Sequence, residues 1–496
     1  MTKNMLLADL LAETPVARIV SAGRAVPPAA EVAALTADSR TVAPGACFFA
    51  VPGTQVDGHA FIPAAVAAGA AVVVCERVPD EQPEGVTFVE VPDAAGALAD
   101  MASAFYGHPS RELKLVGVTG TNGKTTTATL LYDLVRALGF RAGLVSTVVY
   151  KIDERAVEAT HTTPDPIRLN AMMREMADAG CDYCFMECSS HAIVQERTRG
   201  LRFAGGIFTN ITHDHLDYHK TFAAYIRAKK AFFDALGADA FALANLDDRN
   251  GGVMMQNTAA RRCTYSLRSM ADFRCRIVEQ HIDGMQLCID GAEVWTTLTG
   301  RFNASNLLAV YGAARLLGFG RDEVLRALSA LQPVAGRFET VRAADGTTAV
   351  VDYAHTPDAL ENVLLTLGEL RRPGQQIVCV CGCGGDRDRT KRPEMAAIAV
   401  KYASTAIFTS DNPRHERPEA ILDDMTAGLD PGARYLRIAD RSEAIRTAAM
   451  LARPGDLILV AGKGHETYQI VGDVKRHFDD REEVRRAFGM LNENRR

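Results

Sequence analysis

The sequence predicts an α/β protein of three domains. These are a small N-terminal α/β domain over residues 1–106, a central parallel-sheet domain over 107–336 and a C-terminal Rossmann-like domain over 337–496. Three observations predict this. The 496 residues far exceed one domain of typical size. Short apolar runs alternate with amphipathic stretches, the pattern of parallel sheets covered by helices on both faces. Breaker residues interrupt the pattern at Gly107-His108-Pro109 and between Pro333 and Gly336.

In the N-terminal segment, Ala46–Val51 and Ala71–Cys75 read as strands flanking the helix-like run IPAAVAAG. In the central segment, Leu113–Val118, Tyr183–Glu187 and Gly206–Ile211 read as strands, with helices over Thr125–Leu138 and Ile167–Ala179. From about residue 340 a second series begins, with strands Ala349–Asp352, Ile377–Cys381, Ala406–Ser410 and Leu457–Ala461. Ligand sites belong at the carboxyl ends of such strands.

Composition narrows the function classes. With 47% hydrophobic, 7% aromatic and 23% charged residues, the chain is neither disordered nor collagen-like. The 55 basic and 61 acidic residues leave a net charge of −6, which argues against holding nucleic acid through overall charge. Residues 1–106 carry 5 basic and 12 acidic side chains, a local −7. No stretch approaches the ~20 apolar residues of a membrane span. The N-terminus has acids within its apolar run and no cleavage-like site, so a cytoplasmic protein is expected. A monomer is also expected. The 11 scattered cysteines read as reduced thiols, and the Cys381/Cys383 pair lacks a second ligand pair at zinc spacing.

The most specific local signal is Val116-Gly-Val-Thr-Gly-Thr-Asn-Gly-Lys-Thr-Thr126. A buried strand runs into a Gly-rich turn and then a helix N-terminus, whose free N–H groups and positive dipole end suit a polyphosphate. Gly120 and Gly123 let the backbone approach, Lys124 supplies charge for the β/γ-phosphates, and Thr125 can hold Mg²⁺. The strict loop spacing needs Gly where Val118 stands, so this is a variant loop. The central domain is therefore read as a P-loop-type mononucleotide-binding one.

Strand Tyr183–Glu187 delivers a carboxylate at its end, able to bind Mg²⁺ directly or through water. Asn210–His219 packs three histidines and two aspartates into ten residues. By itself that cluster suits zinc or iron; beside a phosphate loop it suits Mg·ATP. Over Thr221–Leu236, Phe222, Ile226, Lys229, Phe233 and Leu236 share one helical face. Lys229 therefore lies in the apolar stripe, whereas Lys230 reads as solvated. Burial lowers a lysine pKa and leaves a neutral amine able to take up CO₂ as a carbamate.

The GKTT loop after VTGTN resembles the Mur ligase superfamily, whose members use ATP to join an amino acid to a carboxylate and which includes folylpolyglutamate synthase. The resemblance implies that Glu187, His215, Thr125 and a carbamylated Lys229 hold Mg²⁺. With Lys124, these form the catalytic set. It also implies ATP contacts from Gly120, Thr121, Asn122, Gly123, Lys124, Thr125 and Thr126. Further ATP contacts come from Asn306 in RFNASN, Arg337 in GRFE, and Asp352 and His355 in DYAHTPD. Arg337 could balance phosphate charge.

Further ordered motifs resemble the branch of the family that adds 2,6-diaminopimelate to a UDP-N-acetylmuramoyl dipeptide. They are Asp38-Ser-Arg40, Pro52–Gly58, Thr162–Asp165, Ser189–Arg197, Gly382–Asp388, Asp411–Arg414 and Gly462–Glu466. For the UDP-sugar dipeptide the resemblance implies Ala37, Ser39, Thr54, Gln55, Val56, Thr162, Thr163, Ser189, Gln195 and Arg197. For diaminopimelate it implies Arg387, Asp411, Asn412, Pro413, Arg414, Gly462 and Glu466. Arg414 offers a two-pronged donor to the carboxylate that lysine lacks, and Glu466 suits an ammonium. The implied reaction runs through an acyl phosphate in peptidoglycan precursor synthesis. The rivals are another Mur or folylpolyglutamate-type ligase, a P-loop ATPase, and a scaffold with a dead ligase fold.

Overall fold

The computed structural model describes residues 4–53 and 56–494. Three α/β sheets follow one another along the chain.

The first sheet has six strands, in the order Arg24–Ala25, Arg18–Ser21, Thr87–Glu90, Val72–Cys75, Ala46–Ala50 and Ala34–Thr36. The last four run parallel and the first two are antiparallel additions. Ile62–Ala67 packs on one face with Phe48 and Val73; Ala94–Phe105 packs on the other with Phe49 and Val74. Alternate side chains of buried strands thus feed two separate cores.

The central sheet has eleven strands. Its parallel middle places Lys114–Thr119 between Tyr183–Glu187 and Gly205–Phe208. Helices Lys124–Ala137, Arg301–Leu316 and Arg321–Ala330 cover one face, and Pro166–Asp178 and Phe222–Asp234 the other. Antiparallel strands extend the parallel middle at both edges. Val149–Ile152 and Arg155–Glu158 extend one edge antiparallel, and Phe273–His281, Gly284–Ile289 and Ala292–Thr296 form an antiparallel meander at the other. The physical reason is turn chemistry. Asp290 and Gly291 both take positive φ, 45° and 83°, the geometry of a two-residue hairpin turn. The Asp-Gly pair at 290–291 is the signal that announces it.

The third sheet has six strands. Its order is Glu339–Arg342, Thr348–Asp352, Leu457–Ala461, Ile377–Cys381, Thr405–Phe408 and Tyr435–Arg437, with only the first antiparallel. Helices Pro357–Leu370, Lys391–Tyr402 and Pro418–Thr426 cover one face, and Arg441–Leu451 and Asp480–Asn494 the other. Leu457–Ala461, the last of these strands in the chain, inserts between Thr348–Asp352 and Ile377–Cys381 and breaks the sequential strand order; open α/β sheets form their ligand crevices at the carboxyl ends of strands near such a break. Among the described residues no helix is long and apolar enough to cross a membrane.

Candidate active site

The phosphate loop leaves the sheet between two neighbouring strand ends. Glu187 is in register with Val118, and Phe208 with Thr119. Gly123 has φ +86° and precedes helix Lys124–Ala137; a Cβ there would lie 2.6 Å from Asn306 Oδ1. At Gly120 a Cβ would lie 1.9 Å from Thr209 Oγ1. Both positions therefore require glycine. The Asn122 N–H donates to Asn210 Oδ1 at 2.9 Å, and Thr209 Oγ1 donates to the Asn122 carbonyl at 2.6 Å. Thr121 Oγ1 lies 3.0 Å from the Tyr225 hydroxyl. Thr125 and Thr126 are buried in the first helical turn. Lys124 folds back, its Nζ donating to the Gly120 and Thr121 carbonyls at 2.8 Å each. Burial lowers its pKa, opposed by Glu187 and Asp214.

Lys229 is 1% exposed, on a helix capped by Thr221. The buried face is centred on Tyr225, Lys229, Phe232 and Phe233. Phe222 and Ile226 are only half-buried, so the stripe read from spacing was rotated although Lys229 stayed within it. Its Nζ donates to the Gly120 carbonyl at 2.8 Å, the oxygen that Lys124 also meets. Burial, then the Lys124 charge, holds its pKa well below the ordinary lysine value, which favours the neutral amine. Lys230 instead pairs with Asp234.

Glu187, also 1% exposed, accepts the Thr147 N–H on Oε1 at 2.7 Å, and no described residue donates to Oε2. His215 has φ +55° and its backbone N–H donates to Asp214 Oδ1. Burial holds its pKa at about 4 against the pull of Asp214, so its imidazole is neutral and able to coordinate. Among the described residues no group of three or more His, Cys, Asp and Glu side chains could hold a metal unaided. A buried carboxylate with a spare oxygen, a hydroxyl and a neutral imidazole fit Mg²⁺, which takes few protein ligands and shares phosphate oxygens. Burial pushes the Cys188 thiol up, so it is no thiolate nucleophile.

The third sheet reaches this loop. Arg337 Nη2 donates to Thr125 Oγ1 at 3.1 Å, and the guanidinium lies 4.5 Å from the Tyr353 ring centre. Its buried Nε has no hydrogen-bond partner, so one donor is spare. Asp352 accepts the Phe338 N–H at 2.7 Å, and burial raises its pKa against Arg337. His355 Nδ1 lies 2.8 Å from the Tyr353 carbonyl, and Lys391 donates to the His355 carbonyl at 2.8 Å. Asn306 lies buried beneath Gly123. Asp358, the last residue of DYAHTPD, has no role assigned from the sequence. Its Oδ2 accepts from Asn122 Nδ2 at 2.9 Å and from Thr212 Oγ1 at 3.2 Å. Its signal was a second acid in DYAHTPD, at the start of helix Pro357–Leu370.

Beside Glu187 lies a polar cluster. Thr163 Oγ1 donates to the Glu187 carbonyl at 2.7 Å, and Arg197 Nη1 to the Thr163 carbonyl at 2.7 Å. Arg197 also meets Gln195 Oε1 at 2.6 Å, and Thr147 Oγ1 bonds Thr162 Oγ1 at 3.0 Å. Ser189 caps the turn Ser190–Val194. Ala37 is exposed and Ser39 half-buried, in a turn capped by Asp38, whose carboxyl Arg40 holds at about 2. Val56 is exposed. Among the described residues no hydrogen bond joins Ala37, Ser39 or Val56 to the Thr162–Arg197 cluster; Thr54 and Gln55 lie outside the described residues. The first sheet docks through Arg199, which pairs with Asp93 at 3.1 Å and Asp100 at 2.9 Å.

A separate pocket forms at the strand ends of the third sheet. Asp411, Asn412 and Pro413 are buried, and Arg414 is half-buried with φ +51°. The Arg414 backbone is held by its N–H to the Ile470 carbonyl and by the Gly472 N–H to its own carbonyl. Nη1 donates to the Gly385 carbonyl at 2.8 Å. Asn412 Nδ2 donates to Glu466 Oε2 at 2.9 Å. A Cβ on Gly462 would lie 2.6 Å from Asp411 Oδ2. Arg387 is exposed, flanking Arg414 across Gly384. The arrangement offers a cationic fork and a largely buried carboxylate, Glu466, 14% exposed, a match for a zwitterion.

Three family models match the chain. They are the Mur ligase middle domain over residues 118–314, the Mur ligase glutamate ligase domain over 336–464, and the Mur ligase family catalytic domain over 31–106. A UDP-N-acetylmuramoyl-L-alanyl-D-glutamate–2,6-diaminopimelate ligase of Phocaeicola vulgatus is 56% identical over 460 residues, 92% of this chain and 95% of that protein. A solved structure of a ligase of that name superposes with a TM-score of 0.69 at 32% identity, covering 99% of this chain and 100% of that one. MurF ligase from Thermotoga maritima, solved with ADP, gives 0.62 at 18% identity over 93% and 98% of the two chains, a likeness of fold alone.

Proposed function

The chain belongs to the Mur ligase family, and on that premise we propose that it joins meso-2,6-diaminopimelate to UDP-N-acetylmuramoyl-L-alanyl-D-glutamate at the expense of ATP, in the cytoplasmic synthesis of peptidoglycan precursors. The observation that carries the substrate assignment is the Arg414 fork beside the Asn412–Glu466 pair. A fork takes a carboxylate bidentately, and a largely buried carboxylate takes an ammonium.

In this reading the first sheet, with Ser39 and Val56, holds the UDP-sugar. Thr162, Thr163, Ser189, Gln195 and Arg197 hold the dipeptide beside Glu187. The phosphate loop, Asn306, Arg337, Asp352 and His355 hold ATP. An oxygen of the D-glutamyl carboxylate attacks the γ-phosphorus, the bond to the bridging oxygen breaks, and ADP leaves. Lys124 and Arg337 offset the charge that spreads over the phosphoryl oxygens. Glu187, His215, Thr125 and a carbamylated Lys229 would hold Mg²⁺, whose charge supplies further electrostatic stabilisation of phosphate. The free amine of diaminopimelate then attacks the acyl phosphate carbonyl, loses a proton, and inorganic phosphate departs. No protein nucleophile is needed, so catalysis rests on positioning and electrostatics.

An amino-acid panel tests this. With ATP and the UDP-sugar dipeptide, phosphate release should require an amino acid and favour meso-diaminopimelate over lysine and ornithine. Equal turnover of lysine would defeat the assignment of the acceptor.

A further inference from the structure

Lys463 is fully buried, one residue beyond Gly462 at the end of strand Leu457–Ala461. Fully buried lysines are rare and need partners. Here Nζ donates to Glu466 Oε2 at 3.0 Å and to Asn412 Oδ1 at 3.1 Å. Asn412 Nδ2 donates to the same Glu466 oxygen at 2.9 Å, and Asn412 Oδ1 also accepts the Ile470 N–H at 3.0 Å. Lysine and amide thus converge on one oxygen of the carboxylate, while Oε1 receives no hydrogen bond from a described residue.

We propose that Lys463 is a positioning residue for acceptor recognition: it keeps Glu466 anionic and anchored by Oε2, leaving Oε1 to take the ammonium of the incoming amino acid. This rests on the reading of Glu466 given above. The surroundings make such a partner necessary. Burial and the neighbouring Asp411 push the Glu466 carboxyl up, and Lys463 and Asn412 oppose them. Tyr353 and Tyr468 also face Glu466, Arg414 faces Tyr468, and Arg441 faces Asp411. Adjacent His465 is held at about 3, chiefly by burial, and so brings no charge. Among the described residues, Lys463 is the cation that bonds Glu466 directly. Without it a largely buried carboxylate beside a second acid takes up a proton more readily and loses its attraction for an ammonium.

The test uses the full chain with ATP and the UDP-sugar dipeptide saturating. Lys463→Met should raise KM for diaminopimelate about tenfold or more at neutral pH and move the acid limb of kcat/KM upward by about one unit, a tenfold loss per unit. KM for ATP should hold, and Lys463→Arg should restore much of the loss. In a Glu466→Gln background, Lys463→Met should add nothing. An unchanged KM and acid limb overturns the proposal. So does an equal rise in both KM values, or full additivity with Glu466→Gln, either being the mark of a merely structural role. Should Lys463→Met fail to fold, the unmutated enzyme decides. Diaminopimelate affinity that persists well below neutral pH supports the proposal, and its loss around neutrality overturns it. Failure of the unmutated enzyme to use diaminopimelate overturns the proposed function instead.

Discussion

Arg414→Ala is the sharpest perturbation of acceptor choice. Arg414 Nη1 is committed to the Gly385 carbonyl at 2.8 Å, so the rest of the fork remains for a substrate carboxylate. Removing one partner of a buried charge pair costs about 2–5 kcal/mol. Arg414 is half-buried, which favours the lower part of that range, about 2–4 kcal/mol. At about 1.4 kcal/mol per factor of ten, kcat/KM for diaminopimelate should fall roughly 30- to 1000-fold. Alanine keeps a Cβ at the same φ of +51°, and the backbone bonds to Ile470 and Gly472 survive, so the strand ends should stay in place. The assay is steady-state phosphate release with each substrate varied in turn. KM for ATP should change little, because among the described residues no hydrogen bond links Arg414 to the phosphate loop. Activity with lysine, which lacks the second carboxylate, should fall far less, so the preference between the two should narrow. Unimpaired turnover at low diaminopimelate, or an equal loss with both amino acids, would refute the reasoning.

Asp358→Ala removes the carboxylate that accepts from Asn122 and Thr212; at about 1.5–3 kcal/mol for hydrogen bonds to a charged group, ATP affinity should fall roughly 10- to 100-fold. Calorimetric titration with an ATP analogue reads this, and unchanged affinity counts against any coupling of the third sheet to the loop. Asp480→Ala strands the fully buried Arg441, which bonds Asp480 twice at 2.7 Å, and should cost about 3–5 kcal/mol in denaturant unfolding. A shift below 1 kcal/mol, roughly the value of an exposed pair, would contradict this. Glu416 is held at about 2, below its ordinary 4.5, first by its hydrogen bond to Arg392. Its folded-state pKa is depressed, so the stabilisation is present above 4.5 and is lost as pH falls toward 2. The stability gap between the unmutated chain and Glu416→Gln should therefore be widest at neutral pH and close on acidification. A gap that does not change with pH would remove Glu416 from the acid response.

Much of the site was legible because its signals are local. Strands Tyr183–Glu187, Ile377–Cys381 and Leu457–Ala461 lie where the apolar runs put them, since strands buried on both faces read as continuous hydrophobic stretches. Lys229 was marked by sitting among apolar residues at helical spacing, and its burial follows from that. One turn of the edge meander is marked by Asp290-Gly291, yet its first strand, Phe273–His281, is mostly exposed or half-buried and carries a weaker apolar pattern. Asp358 and Lys463 carried no such mark. An acid at a helix start and a lysine between glycines look the same whether solvated or buried.

The sequence by itself determined the local elements, the turn that only glycine can make at Gly123, and the residue types each phosphate, carboxylate and ammonium would need. It did so because backbone preferences and hydrophobic period act over a few residues. Tertiary structure decided which of those residues meet. Asn122 and Asp358 are 236 positions apart and Thr125 and Arg337 are 212 apart, yet each pair shares a hydrogen bond. Strand order and the packing of one sheet against another set such meetings, and neither is written in the spacing of residues along the chain. The same packing set a fully buried Lys463 against a largely buried Glu466, a pairing that the spacing of the two residues does not announce.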